Sequence, residues 1–328
     1  MSAPLLEVRD LVKHFPVRGG VFNRVKGHVH AVNGVNFVVN EGETVGVVGE
    51  SGCGKSTLGK TVLRLLEPTG GEIRFAGTDL AHAGHSELMP FRRRMQMIFQ
   101  DPYSSLNPRL TVEATLREAI DFHRIVPRSE RTEYIVDLLR KVGLRPDDRV
   151  KFPHEFSGGQ RQRIGIARAL ALKPEFIVAD EPVSALDVSI QAQILNLMMD
   201  LKEEYGLTLL FISHDLKVIE HFCDRVLVMY LGHVVEELSC VNLYEEAKHP
   251  YTRALLEANP INDPDDRREL TVLEGDVPSP FDPPAGCPFV TRCPVKVEKC
   301  ETQRPLLQPL DAEAPTKQRV SCWEVETA

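Results

Sequence analysis

The sequence contains no long hydrophobic run and no feature typical of a secreted protein. No segment approaches the roughly 18 consecutive apolar residues of a membrane-spanning helix. The first residues, MSAPLLEVRD, carry charge almost at once and lack the apolar core of a signal peptide. These absences predict a cytosolic protein. If it serves a membrane process, other subunits must cross the bilayer.

Positive charge is also scarce, since 39 Lys and Arg face 47 Asp and Glu, for a formal net charge of -8. That balance does not indicate a nucleic-acid surface. The chain has no internal repeat, no long low-complexity tract and no heptads. Its 328 residues therefore predict one large or two ordinary domains. In a cytosolic chain, the seven cysteines are more readily thiols or metal ligands than disulfides.

What the chain does contain, up to about residue 259, is an alternation of short apolar runs and amphipathic stretches. The runs predicted as buried strands are TVGVVG (44–49), MQMIFQ (95–100), EFIVAD (175–180) and LTLLFIS (207–213). The stretches predicted as helices are STLGKTVLRLLE (56–67), RTEYIVDLLRKVG (131–143) and IQAQILNLMMDLKEEYG (190–206). Alternation of this kind predicts an α/β fold with a mainly parallel, covered sheet.

Three regions depart from that pattern. Near the start, LLEVRDLVKHF, HAVNGVNFVV and GEIRFAG predict antiparallel strands, with GGVFNRVKGH as a loop between the first two. Residues 101–170 are helical in periodicity and predict a helical subdomain inserted into a first domain that spans 1–259. Beyond it, ten of the 23 prolines lie between residues 262 and 328, beside four cysteines. Residues 260–328 are therefore predicted to form a small, irregular, Cys-rich C-terminal domain.

Residues 49–57 read GESGCGKST and match G-x-x-x-x-G-K-[ST] between a predicted strand and a predicted helix. Glycines let backbone N–H groups close around phosphate oxygens, and the helix adds its positive end. The predicted ATP-binding residues are Gly49, Glu50, Ser51, Gly52, Cys53, Gly54, Lys55, Ser56 and Thr57. Lys55 is expected to reach the β and γ phosphates and Ser56 to bind Mg²⁺, whereas Cys53 contributes only its backbone. The alternative is a glycine-rich turn that binds nothing.

Polar residues follow three of the predicted strands. FIVADEP places Asp180 and Glu181 side by side, and side chains that alternate along a strand can take different roles. We expect Asp180 to hold the Mg²⁺ shell and Glu181 to polarise the attacking water. His214 is expected to sense the γ phosphate, and Gln100 to serve Mg²⁺ and the water. A solvated acidic turn and a purely structural histidine are the alternatives.

SGGQRQR (157–163) resembles an anion site without a carboxylate. Ser157 and Gln160 match the S-x-x-Q capping box of a helix. A cap does not require Gly158 and Gly159, which lower helix stability by roughly 1 kcal/mol each and expose backbone N–H groups at a positive helix end. Because residues 49–57 already hold the chain's own phosphates, the anion at this site is expected to come from a second subunit.

Together these motifs resemble those of an ATP-binding cassette (ABC) ATPase. Walker A (GESGCGKS), the Q-loop (Gln100), the signature (SGGQ), Walker B (FIVADE), the D-loop (SALD, ending at Asp187) and the H-loop (His214) are all present and in order. In that family two cassettes pack head to tail, so that the signature of one closes on the ATP of the other. The resemblance also implies an aromatic side chain that stacks on adenine, for which Phe15 is the candidate and His14 the rival.

Further segments narrow the resemblance. Four segments resemble the oligopeptide/dipeptide importer branch, specifically its F-type ATPase subunit. They are GESGCGKSTLGK, IFQDPYSSLNPR, EPVSALDVSIQAQILNL and KHPYTRALLEANP. The resemblance implies a D-type sister ATPase, two transmembrane permease subunits and an extracytoplasmic binding protein as partners. It implies a peripheral position on the cytoplasmic face of the cell membrane. Some relatives import nickel or other small solutes, and the substrate itself is not encoded in this chain.

A different class, a cassette ATPase that acts on nucleic acid, generally carries two cassettes or a coiled-coil insertion and needs a basic face. Here only 56 residues separate Gln100 from Ser157, and the chain is acidic. A metal-sensing module that merely shares the fold would not explain why every catalytic position is intact. We therefore expect an ATP-driven transport motor that binds no nucleic acid.

The cysteines of the tail, Cys287, Cys293, Cys300 and Cys322, follow the spacing C-x5-C-x6-C-x21-C. Four thiolates could ligate zinc or a [4Fe-4S] cluster. The spacing lacks the C-x2-C pairs of zinc ribbons, and importers of the resembling branch carry a similar [4Fe-4S] site. The cluster is thus preferred over zinc and over free thiols, with a structural role. Cys223 and Cys240 are expected to be ordinary buried residues.

Overall fold

The computed structural model describes residues 4–19, 23–258, 275–311 and 318–325 of the chain. These residues divide into two compact units. The first takes in the described residues within 1–39, 44–81 and 213–328, and the second takes in 40–43 and 82–212. The predicted domain boundary at residues 259 and 260 lies outside the described residues.

The first unit is built from strands of two kinds of pairing. Numbered in chain order, its strands are β1 (Leu6–Gly19), β2 (Arg24–Val39), β3 (Thr44–Val48), β4 (Gly70–Phe75), β5 (Thr78–Asp79), β9 (Arg225–Tyr230), β10 (His233–Ser239), β11 (Gln308–Pro309) and β12 (Arg319–Val320). Strands β2, β1, β4 and β5 form an antiparallel sheet in that order. Strand β3 runs parallel to β9, and β10, β12 and β11 continue antiparallel from β9. Its helices are α1 (Lys55–Val62), α8 (Leu216–Phe222), α9 (Leu243–Glu246), α10 (Pro250–Glu257) and α11 (Lys299–Thr302).

The first hairpin is longer than the sequence predicts. Within the described part of the predicted loop GGVFNRVKGH, Gly19 and residues 24–28 are strand, because Val17 pairs with Gly27, Arg18 with Val25 and Gly19 with Arg24. The glycines of this segment locally favour a turn. Cross-strand backbone hydrogen bonds outweigh that local preference, and irregular register steps along the ladder accommodate the glycines.

The second unit combines a parallel sheet with helices. Its strands are β6 (Met95–Ile98), β7 (Phe176–Asp180) and β8 (Thr208–Ile212), which pair in parallel in that order. Its helices are α2 (His85–Arg94), α3 (Pro102–Ser105), α4 (Val112–His123), α5 (Arg131–Lys141), α6 (Gly158–Leu170) and α7 (Val188–Tyr205). All residues of β7 and β8 are buried, as expected for central strands of a covered sheet. Helices α3 to α6 lie between β6 and β7, where the sequence predicts a helical subdomain.

The α/β class is confirmed, but a separate Cys-rich C-terminal domain is not. Strand β12 of the C-terminal segment pairs with β10 of the first unit. Glu237 of β10 forms ion pairs with Arg225 and Arg319. The neighbouring Glu236 is fully buried and accepts hydrogen bonds from the backbone N–H groups of Lys248 at 2.7 Å and His249 at 3.0 Å. The described part of the C-terminal segment therefore belongs to the first unit.

Burial of His249, whose backbone N–H donates to Glu236, predicts that this histidine lowers stability in mild acid. His249 is 1% exposed, and burial lowers its pKa to about 3. In the unfolded chain a histidine has a pKa of about 6.5, so the unfolded state binds a proton that the folded state does not. The contribution of His249 to stability therefore falls as pH drops below about 6.5, by about 1.4 kcal/mol at pH 5.5, whereas burial raises the pKa of Glu236 and acts in the opposite direction.

The His249→Asn variant isolates that contribution. The Nδ1 atom of His249 accepts the N–H of Tyr251 at 3.1 Å, and an asparagine oxygen can accept the same bond. Urea unfolding at pH 7.5 and pH 5.5 should show a smaller pH-dependent loss in the variant than in the parent chain. Equal losses in both proteins would contradict the assignment.

Candidate active site

The phosphate loop connects β3 to α1 in the first unit. Helix α1 begins at Lys55, and Gly54 precedes it with φ 107°. A Cβ atom on Gly54 would lie 2.0 Å from the carbonyl oxygen of Ala31, and one on Gly49 would lie 2.1 Å from that of Met229. Glycine at both positions is thus required by backbone conformation and by close approach of another strand. The loop lies between a strand and a helix, as its sequence pattern predicts, with a helix N-terminus directly behind it.

We expect Gly54→Ala to weaken ATP binding strongly. The added methyl group meets backbone atoms, which cannot move aside as a side chain can, and the positive φ is itself unfavourable for alanine. The affinity for ATP should fall by at least about 30-fold, which corresponds to roughly 2 kcal/mol. Equilibrium titration with a fluorescent ATP analogue measures it. Gly77→Ala, also at positive φ (79°) but with no atom within 4 Å of the added methyl, is the matched control and should bind normally.

Lys55 lies at the centre of the loop. Its ammonium group is buried and donates hydrogen bonds to the carbonyl oxygens of Gly49 at 2.7 Å and Glu50 at 3.0 Å. Ser56 and Thr57 follow on the first turn of α1. Burial raises the pKa of the Cys53 thiol, although the positive charge of Lys55 acts in the opposite direction. A neutral thiol is consistent with the expectation that Cys53 contributes only its backbone to ATP binding.

Sequence reasoning missed two contacts that the C-terminal segment makes with this loop. The backbone N–H of Glu50 donates to the Tyr251 hydroxyl at 2.9 Å. Its carboxylate accepts a hydrogen bond from Arg292 at 2.8 Å. These partners lie 201 and 242 residues away in the chain, so no local pattern could indicate the pairing. The HPY motif and the cysteine segment were the only available signals.

In the second unit, Gln100 and Glu181 come together. The Nε2 group of Gln100 donates to the Glu181 carboxylate at 2.9 Å. Glu181 directly follows the end of β7, and its backbone N–H donates to Ile212 of β8 at 2.9 Å. Its φ of 45° is unusual for a residue with a side chain and marks local strain. Asp180, by contrast, is buried at 3% exposure, so the two adjacent carboxylates occupy different environments.

His214 follows β8 and belongs to the first unit. The backbone N–H of the preceding Ser213 donates to the carbonyl oxygen of Val47, at the end of β3, at 3.1 Å. This bond places His214 beside the strand that leads into the phosphate loop. Its side chain is exposed. Asp215 next to it caps α8 by accepting the N–H of Lys217 at 2.9 Å, which fixes the chain direction at this point.

The signature residues form the start of α6. Ser157 accepts the N–H of Gln160 at 3.3 Å, and Gln160 accepts the N–H of Ser157 at 3.0 Å, so the capping box is present. Both side chains are exposed. Gly159 also has a packing reason that the sequence does not reveal, since a Cβ on it would lie 2.6 Å from Ile190. Asp187, the residue before α7, is exposed as well.

The two candidates for adenine stacking differ in their surroundings. His14 forms a 2.7 Å hydrogen bond with Asn33, and its ring centroid lies 4.1 Å from that of His30. Phe15 is half-buried in β1, and the ammonium group of Lys13 lies 4.8 Å from its ring centroid. Phe15 stays the candidate, because the His14 ring is already engaged by its neighbours.

The four tail cysteines are close in space and unpaired. All are free thiols, and Cys287 donates its backbone N–H to the Cys300 carbonyl oxygen at 2.8 Å. Burial raises the pKa of Cys287 to about 11, and the other three sulfurs add to that rise. Within the described residues, however, no three His, Cys, Asp or Glu side chains stand in an arrangement that could hold a metal ion. The thiols thus converge without forming a ligand set. Cys223 and Cys240 are buried, as expected.

Across the described ranges, no helix combines the length and the apolar character needed to cross a bilayer.

The chain matches two protein-family models. The ABC transporter family model matches residues 32–184, and the model of the oligopeptide/dipeptide transporter C-terminal region matches residues 235–300. The probable peptide ABC transporter ATP-binding protein y4tS of Sinorhizobium fredii is 53% identical over 98% of this chain and 90% of its own length. The oligopeptide transport ATP-binding protein AppF of Bacillus subtilis is 53% identical over 92% of each chain. The ATP-binding cassette MJ0796, solved as a dimer bound to ADP and Pi, has a TM-score of 0.64 at 31% identity, over 72% of this chain and 98% of its own.

The fold and the site motifs define an ABC-type nucleotide-binding cassette. The chain belongs to the ABC transporter ATPases, and within them it carries the C-terminal region of the oligopeptide/dipeptide transporters. It is the ATP-hydrolysing subunit of such a transporter.

Proposed function

We propose that this chain drives the import of dipeptides or oligopeptides. The observation that carries the proposal is the pairing of a preformed phosphate loop with a C-terminal region of the peptide-transporter type in one unit. The relatives y4tS and AppF are named for peptide and oligopeptide transport, which supports peptides over nickel or another small solute as cargo.

The ATP site is proposed to work as follows. Lys55 and the loop amides bind the triphosphate, and Ser56, Gln100 and Asp180 hold Mg²⁺, which neutralises charge on the phosphates. Glu181 polarises the attacking water, and His214 senses the γ phosphate. The 2.9 Å hydrogen bond from Gln100 to Glu181 supports a shared role, because it links the proposed water-polarising group to the proposed Mg²⁺ ligand. Phe15 is proposed to stack on adenine.

The signature is proposed to act on a second cassette. Ser157, Gly158, Gly159 and Gln160 present an exposed, capped helix end, and the neighbouring Asp187 is also exposed. Val188 next to it is 82% exposed, which is unusual for a large apolar residue and fits a surface covered by a partner. We propose a D-type sister ATPase as that partner, in a head-to-tail heterodimer.

Two permease subunits and an extracytoplasmic binding protein complete the proposed importer. The second unit exposes apolar side chains that membrane subunits could cover, namely Tyr103 (65%), Phe122 (67%) and Val150 (58%). The chain would then sit peripherally on the cytoplasmic face of the cell membrane. The proposed domain limits are 1–259 for the cassette, with a helical subdomain at 101–170, and 260–328 for the extension.

For the tail we propose a [4Fe-4S] cluster held by Cys287, Cys293, Cys300 and Cys322, with zinc as the alternative. Four free thiols in one segment with little regular structure support it. Bound to such a cluster, the thiolates would cross-link the segment. Iron, sulfide and zinc analysis after anaerobic purification tests this proposal. A chain that contains neither iron nor zinc would refute it.

Copurification tests the importer proposal. The chain is tagged in its native cell, extracted in mild detergent, and its companions are identified by mass spectrometry. We expect two multi-span membrane proteins and a related ATPase. Peptide uptake by the reconstituted assembly should require ATP. Uptake of nickel but not of peptides would show that the proposed peptide substrate is wrong. Recovery with ribosomes or DNA-binding proteins would overturn the transport role.

A further inference from the structure

Glu50 of the phosphate loop is held at two points by the C-terminal segment. Its backbone N–H donates to the hydroxyl of Tyr251 at 2.9 Å, and its carboxylate accepts from the guanidinium of Arg292 at 2.8 Å. All three residues belong to the first unit. The carbonyl oxygen of Glu50 in turn accepts a hydrogen bond from the ammonium of Lys55 at 3.0 Å. The two contacts that hold Glu50 are thus linked through this residue to the proposed phosphate-binding lysine.

The first of these contacts is made by a rigid side chain. Tyr251 is fully buried in the first turn of α10, whose start is capped by His249. Its ring packs against Tyr230 at 4.7 Å and Phe289 at 5.4 Å between centroids. Tyr230 directly follows Met229, whose carbonyl oxygen lies against Gly49. The aromatic cluster therefore fixes both Gly49 and Glu50, the first two residues of the loop.

The second contact is electrostatic. The Arg292 side chain is 7% exposed and that of Glu50 is 26% exposed, so their attraction is only partly screened by water. A carboxylate inside a loop that receives a triphosphate would repel the ligand. Arg292 cancels that charge through a charge-assisted hydrogen bond.

With the proposed ATP site as its premise, we infer that Tyr251 and Arg292 are positioning residues for ATP binding: Tyr251 fixes the loop backbone at Glu50, and Arg292 neutralises the Glu50 carboxylate beside the triphosphate. Neither residue belongs to the nucleotide-site motifs. The inference gives the HPY segment and the region before Cys293 a role in the ATP site itself.

Substitutions of the charged pair test the neutralising role in the full-length chain, with a fluorescent ATP analogue as probe. We expect Arg292→Gln to weaken binding about tenfold, because the Glu50 carboxylate is left uncompensated. Arg292→Lys keeps the charge and should retain most of the affinity. The double variant Glu50→Gln with Arg292→Gln removes both charges and should recover most of the loss. Lys296→Gln, an exposed lysine of the same segment, is the matched control and should bind normally.

Tyr251→Phe tests the backbone contact. Phenylalanine keeps the aromatic packing but cannot accept the Glu50 N–H, so ATP affinity should fall about threefold to fivefold. In the assembled transporter, both Tyr251→Phe and Arg292→Gln should raise the KM for ATP and leave kcat nearly unchanged. A structural defect would instead lower the unfolding temperature or the amount of active protein.

Unchanged ATP affinity in Arg292→Gln, or a double variant that binds as weakly as Arg292→Gln alone, would overturn the neutralising role. Unchanged affinity in Tyr251→Phe would overturn the backbone role. Lys55→Ala is measured in parallel. If that variant also binds ATP normally, the proposed ATP site is wrong, whereas loss in Lys55→Ala with normal binding in the other variants rejects the present inference alone.

Discussion

Glu181→Gln is expected to stop ATP hydrolysis while ATP binding persists. Glutamine has the shape of glutamate but cannot attract a proton from the attacking water, and loss of such a group lowers kcat on the order of 10²- to 10³-fold. The strained backbone at Glu181, φ 45°, and the 2.9 Å bond from Gln100 hold this side chain in one place, and glutamine can keep that contact. Turnover in the assembled transporter and the ATP affinity of the full-length chain are the two measurements.

Glu203→Gln is the matched control for this prediction. Glu203 is an exposed residue near the end of α7, away in sequence from β7. The substitution makes the same chemical change, from a carboxylate to an amide, outside the candidate site. Its variant should hydrolyse ATP at the normal rate. Normal turnover in Glu181→Gln would mean that another group polarises the water. If turnover and ATP affinity fell together, Glu181 would have a role in ATP binding instead.

The alternation of apolar runs and amphipathic stretches is enough to predict the central elements, since strands β3, β6, β7 and β8 and helix α5 all lie inside the predicted segments, and α7 begins two residues before its own. Helix ends were less predictable. The segment 56–67 was predicted as one helix, yet α1 ends at Val62. Arg64 adopts φ 53° and its guanidinium donates to the Leu80 carbonyl oxygen at 2.7 Å, a tertiary contact that local periodicity cannot reveal.

The same limit applies to the candidate site. Motifs within one stretch, such as the capping box of Ser157 and Gln160, could be read because both partners are three residues apart. The contacts of Glu50 with Tyr251 and Arg292 could not, because the partners are distant in sequence and the motif itself does not require them. Gly159 illustrates a mixed case, because a glycine that the sequence predicts to expose backbone N–H groups also makes room for Ile190.

Ser157→Arg is expected to abolish the turnover of the assembled transporter without weakening ATP binding by this chain. Ser157 is exposed at the positive end of α6, and an arginine there fills the space that the partner's phosphates would occupy and breaks the capping box. Loss of preorganised donors to a phosphate lowers turnover about 10²- to 10³-fold. Ser86→Arg, which introduces the same side chain at an exposed position of α2, is the control and should be active.

Two double variants test whether the signature acts on the partner's ATP or on the ATP of its own chain. In one, Ser157→Arg is combined with an inactive phosphate loop in the partner, and in the other with an inactive phosphate loop in this chain. If the signature serves the partner, Ser157→Arg adds nothing when the partner's loop lysine is already replaced by alanine. It should then abolish the activity that remains when Lys55→Ala has disabled the loop of this chain. In the opposite pattern, Ser157→Arg lowers turnover further when the partner's loop is inactive and has no added effect on Lys55→Ala. That pattern would mean that SGGQ closes on the ATP of its own subunit. We expect the first pattern, because residues 49–57 already provide a phosphate site for this chain's own ATP, whereas Ser157 and Gln160 are exposed at the capped start of α6.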